Sequence, residues 1–192
     1  VTDMAATPVV FQQAVATLRS ADVRAEIDLS EVKAPKRLAP FSFAQAAEAE
    51  GPSGELVTAR LVLLHDPDGE ETWQSTLRLV VYLRAELDPE LAADPLLPPV
   101  GWSWLTDALE DREATYTALG GTVTLTSSAR FGAISGPPRS HDLELRGSWT
   151  PLDDGLEPHA SAFHDLIVSA AGLPPEGVSI IPQRTAESAR RD

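Results

Sequence analysis

Two apolar runs of strand length face each other across a short polar segment, and no other feature of this 192-residue chain constrains its fold as tightly. Residues 55–65 place Val57, Ala59, Leu61 and Leu63 at every second position. Trp73 to Glu86 return with Leu77, Leu79, Val81 and Leu83 at the same period. A period of two is that of a pleated strand. Between the runs, Asp66-Pro67-Asp68-Gly69 is turn chemistry, because proline presets φ and glycine accepts a positive φ. At their centres both runs are apolar on both faces, which predicts the middle of a sheet.

The flanking segments extend this sheet and cover it. Thr7 and Pro8 read as an N-cap and first turn, followed by Val10, Phe11, Ala14, Val15 and Leu18 at helical spacing as far as Ala21. Val23, Ala25, Ile27 and Leu29 alternate with Arg24, Glu26 and Asp28 as a half-buried strand, and Phe41 and Phe43 open a shorter one before the breaker Gly51-Pro52-Ser53-Gly54. A helical turn begins at Asp88-Pro89 and stops near Pro95, and Pro98-Pro99 interrupt. Gly101 to Glu113 then read as a helix with Trp102, Leu105, Ala108 and Leu109 on one side. Gly120-Gly121 turn the chain into a strand over 122–131, with Val123 and Leu125 inward and its threonines toward water. Residues 141–150 are its partner. Pro158 opens a last helix through Phe163, Leu166, Ile167 and Ala170, which Gly172 and Pro174-Pro175 stop.

The predicted order is α-β-β-β-β-α-β-β-α. It describes an α+β domain with a single antiparallel sheet of about six strands and three main helices. One domain is expected over residues 7–181, with a flexible leader at 1–6 and a disordered tail at 182–192.

Composition removes several function classes. The chain has no cysteine, so disulfides, thiolate metal sites and cysteine nucleophiles are excluded. Its net charge of −14 repels a phosphate backbone, and its basic clusters, Lys33, Lys36 and Arg37 in the body and Arg184, Arg190 and Arg191 near the end, are not interleaved with aromatics. No nucleic-acid partner is expected. The longest apolar runs, Leu61–Leu64 and Leu79–Leu83, are far short of a membrane helix. With no basic-then-apolar leader visible, the expected location is cytoplasmic.

The candidate sites are few. His65-Asp66, His141-Asp142 and His164-Asp165 are His-Asp pairs on a turn, a strand start and a helix, a mixture that does not build a shared metal site. The acids Asp66, Asp68, Glu70 and Glu71 miss the calcium-loop pattern, since Leu77 stands where the bidentate glutamate belongs. Ser103 lacks the glycine two residues later that a nucleophile elbow needs. Trp102 and Trp104 lie about 200° apart on a helix, so one is expected in the core and the other partly exposed. With Leu96 and Leu97 in the proline-stiffened segment 94–99, they form the leading candidate surface for a protein partner. Arg60, Arg78 and Arg84 lie on the central strands, where a shared face would offer an anion site but cross-strand ion pairs are the commoner outcome.

Several stretches carry a family resemblance. They include Leu61-Val62-Leu63-Leu64-His65-Asp66-Pro67, Arg78 to Leu87, Ala93-Asp94-Pro95-Leu96-Leu97-Pro98, Val100-Gly101-Trp102-Ser103-Trp104-Leu105, Gly147 to Leu152 and Ala170 to Pro175. Over roughly residues 10–182 the chain resembles an actinobacterial family, domain of unknown function 3000. An absence of asparagine and thirteen arginines against two lysines fit such a high-GC source. The resemblance implies no activity, cofactor or catalytic residue. The element order is also similar to that of the small acidic dimeric chaperones of type III secretion, an analogy of order alone.

Two functional expectations follow. The first is a non-enzymatic, chaperone- or adaptor-like interaction module that binds a protein partner, with a homodimer as a further option and no cofactor. The second is a small-molecule-binding protein or enzyme with a pocket between sheet and helices, lined by Arg78, Tyr82, Trp102 and His65.

Overall fold

A computed structural model describes residues 7–175 other than 36, 135, 137, 138 and 154. The leader and tail expected at 1–6 and 182–192 lie outside the described residues. The elements are α1 (Val9–Arg19), β1 (Ile27–Val32), β2 (Phe41–Glu50), β3 (Leu56–Glu70), β4 (Ser75–Leu87), α2 (Pro89–Ala92), α3 (Leu97–Asp111), β5 (Tyr116–Ala129), β6 (Arg139–Pro151) and α4 (Glu157–Ala170). The predicted order holds. All neighbours are antiparallel, in the spatial order β1-β2-β3-β4-β6-β5, so β3 and β4 are central as their two-sided apolar pattern requires. The single crossover, through α2 and α3, takes the chain past the position of β6 to make β5 the outer strand.

The core lies between one face of the sheet and the helices. Leu63, Leu79, Leu83, Leu143, Leu145 and Trp149 from the strands meet Leu105 and Leu109 of α3 and Phe163, Leu166 and Ile167 of α4, all wholly buried. Among the described residues no helix covers the other sheet face. A small second cluster there, Ala44, Val62 and Leu64, is covered by Val32, Ala34, Ala39 and Trp73.

Several boundaries differ from the sequence reading for local reasons. β1 begins at Ile27, because Arg24 leaves the strand direction to bind Glu26 and the Pro174 carbonyl. β2 is ten residues long, its small alanines packed between β1 and β3. Asp66 to Gly69 does not reverse the chain. It is an irregular stretch of β3 between His65 and Glu70, and the reversal falls at residues 71–74, with Gln74 at φ 57°. Pro98 and Pro99 do not interrupt a helix but start one. In the first turn of α3 their missing N–H groups would have had no helical acceptor in any case. Thr7 is not the cap of α1, whose N-cap is Pro8 without a side-chain bond. Gly120-Gly121 lie inside β5 and do not precede it.

A glycine pair explains the last point. Gly121 is registered against Gly147 of β6. A Cβ on Gly121 would stand 2.1 Å from the Arg146 carbonyl oxygen and 2.7 Å from the Trp102 ring, and one on Gly147 would stand 2.9 Å from Leu105. The two bare positions let α3 lie close against the β5–β6 edge.

Candidate functional site

The sheet divides the predicted site residues. On β4, Leu79, Val81 and Leu83 are core, so Arg78 and Tyr82, in the alternate phase, stand on the helix-free face. His65 is in phase with Leu63 and turns to the helix side. There it is buried, its ring 5.9 Å from those of Phe11 and Phe41 and its Nδ1 3.0 Å from the Thr76 carbonyl. Trp102 and Trp104 are both partly buried on the helix side. Arg78, Tyr82, Trp102 and His65 therefore do not line one pocket.

On the helix-free face the arginines are held by neighbours. Arg78 donates to Ser148 Oγ at 2.8 Å and Thr150 Oγ1 at 3.0 Å, and Thr150 in turn donates to the Trp73 carbonyl. Burial lowers the Arg78 pKa from the ordinary value. Arg84 pairs with Asp142 at 2.6 Å, and Arg146 lies 5.5 Å above the Tyr82 ring while bound to Glu144. Burial, then the Glu144 carboxylate, raise the Tyr82 pKa. This is a cross-strand lattice, as expected for paired charges on a sheet.

A buried chain of polar contacts ties the end of β6 to α4. The Trp149 indole N–H donates to His159 Nδ1 at 3.1 Å, so the neutral ring carries its proton on Nε2. Asp153 Oδ2 lies 3.0 Å from Nε2, too far off line for a well-formed hydrogen bond, so this contact is chiefly electrostatic. Asp153 also accepts from the Thr115 amide at 2.8 Å and from its hydroxyl. Burial pushes the His159 pKa down, against the pull of Asp153. Burial opposes the Asp153 charge, yet the two Thr115 bonds and His159 outweigh it and hold that carboxyl below the usual range. The acid–imidazole–donor order resembles a catalytic relay, but His159 is wholly buried and its donor is an indole. It acts as a clamp.

A cleft of about 720 Å³ lies in the helix layer between α3, α4 and the turn after α1. Asp22, Arg24, Trp104, Asp107, Asp111, Arg112, Glu157, His164 and Asp165 line it. Its arginines are engaged, Arg112 in a two-pronged bond to Asp165 at 2.5 and 2.8 Å, and Arg24 on Glu26. Asp22, Asp107, Asp111 and Glu157 have no ion pair among the described residues. His164 is buried and directs Nδ1–H to the Asp22 carbonyl at 3.1 Å, which leaves Nε2 as a buried acceptor with no partner among the described residues. Burial lowers the His164 pKa, against the Asp22 carbonyl and the Asp165 carboxylate.

An apolar row leads into this cleft. Leu96, Val100 and Trp104 follow one another at four-residue spacing along α3, and side chains so spaced lie on one face. Leu96 is 64% and Val100 44% exposed, whereas Leu97, one residue on, is buried in the core. Of the four residues read as a partner surface, Leu96 and Trp104 thus belong to this row, Leu97 faces inward, and Trp102 lies on the other flank of α3 against Gly121. Among the described residues no three of His, Asp and Glu gather as metal ligands, and no helix is long and apolar enough to cross a membrane.

Comparison with known proteins gives one match. The family described as "Protein of unknown function (DUF3000)" covers residues 7–179. Neither the curated proteins nor the solved structures gave a match.

Proposed function

The chain belongs to this family of unknown function, whose match spans residues 7–179, and from that footing we propose a non-enzymatic binding module that takes a cationic, partly apolar segment of a partner protein in the α3–α4 cleft. The carrying observation is the lining of the cleft: four carboxylates with no ion pair among the described residues, beside an exposed apolar row. Lysine or arginine side chains would neutralise Asp22, Asp107, Asp111 and Glu157. Leucine or aromatic side chains would cover Leu96, Val100 and Trp104, an amphipathic helix-in-groove arrangement. An actinobacterial source agrees with the composition.

An array of short peptides tests this reading. The wild-type chain should be retained by peptides that interleave Lys or Arg with Leu or Phe, and retention should fall with added salt. Trp104→Ala and the double variant D107K/D111K should each weaken binding about tenfold or more, which corresponds to about 1.4 kcal/mol. Preference for acidic peptides, or retention indifferent to both variants, contradicts the assignment.

A further inference from the structure

We propose that the chain self-associates through β5, two copies joining edge to edge about a two-fold axis at Thr124. The sheet has two outer strands, and they are built differently. β1 has six residues, carries Asp28 and Glu31, and has Glu31 fixed by Arg19 at 2.5 Å. A short, charged edge discourages a second strand. β5 has 14 residues and contains neither a charged residue nor a proline, in a chain with 29 acidic and 15 basic residues. From Gly120 to Ala129 it pairs with β6 without a break, and its outer side pairs with no described strand. Among the described residues none of the usual protections of an edge operates over that stretch.

The occupant follows from the order of side chains. Thr122-Val123-Thr124-Leu125-Thr126 has the same chemical character read in either direction. Opposed residues of an antiparallel pair point to the same side of the sheet. With Thr124 opposite its own copy, Val123 meets the second copy's Leu125 on the helix side, and Thr122 meets Thr126 on the other. Apolar side chains then face apolar ones and threonines face threonines, both favourable cross-strand pairings. Chains of net charge −14 repel one another, and a charge-free strand is where two copies approach at the least electrostatic cost. The two six-stranded sheets would become continuous.

The solution mass of the full chain, by light scattering at micromolar concentration, tests the proposal and its register. Wild type should give twice 20.5 kDa. T122E/T126E sets carboxylate against carboxylate at both off-axis pairs and should halve that mass. T122K/T126E sets lysine against glutamate at the same positions and should keep it doubled. All three threonines are exposed, and circular dichroism checks that each variant is folded. Should T122E/T126E unfold, T124K, which apposes like charges on the axis, should halve the mass where T124V does not. A single-chain mass for wild type, or equal masses for the members of either variant pair, overturns the proposal.

Discussion

Trp149→Ala should destabilise the fold by about 3–5 kcal/mol, the range for removing a fully buried large aromatic, read from urea unfolding. Trp149 is wholly buried on the helix side of β6 opposite Leu79, and its indole holds the clamp that begins α4. Truncation leaves a cavity and also deprives His159 Nδ1 of the Trp149 donor, inside a site that water does not reach. Trp149→Phe separates the two losses. It keeps most of the ring and removes the N–H, so it should cost only the about 1–3 kcal/mol of an unsatisfied buried group. A Trp149→Ala cost below that of Trp149→Phe would mean that the aromatic volume is not what holds α4 to the sheet.

Gly121→Ala should cost at least the upper part of the about 1–3 kcal/mol range for overpacking. The added carbon would meet the Arg146 carbonyl, a backbone atom that cannot rotate away, and the underside of Trp102. Either β5 must move off β6 or α3 must lift. Gly120→Ala is the matched control. A Cβ there meets nothing within 4 Å and φ is not in the left-handed region, so the change should be neutral or stabilise by about 0.4–1 kcal/mol. Equal thermal shifts for the two variants would remove the close approach of α3 as the reason for these glycines.

The contrast between neighbouring glycines shows what the sequence carries and what it hides. As a dipeptide, Gly120-Gly121 is a turn signal. Its role inside a strand depends on Trp102 and Gly147, one on a helix and one on another strand, which no local window contains. Pro98-Pro99 misleads similarly, since proline stops a helix from within and favours one at its first turn. The central pair of strands was legible because β3 is buried on both faces at its centre and β4 is buried on one and half-buried on the other, which imprints directly on composition. The phase of β4 was legible too. Once Leu77, Leu79, Val81 and Leu83 are core, Arg78 and Tyr82 must face away, and His65 must follow Leu63 inward. His159 could have been found by the same reasoning, because it precedes Phe163 by one helical repeat on the buried face of α4. The cleft could not. Its lining comes from the turn near Asp22, from α3 and from α4, brought together only by the packing of helices whose individual patterns show nothing but an amphipathic face.

On the proposed function, partners bind on the helix layer and not on the sheet face that carries Arg78 and Tyr82. Hydrogen exchange of the full chain, with and without the tightest-binding cationic peptide from the array, tests it most directly. Slowed exchange is expected over α3 and α4 together, with β4 and β6 unchanged. Slowing confined to β4 and β6, around Arg78 and Tyr82, would contradict it and would move the binding site to the other face of the sheet.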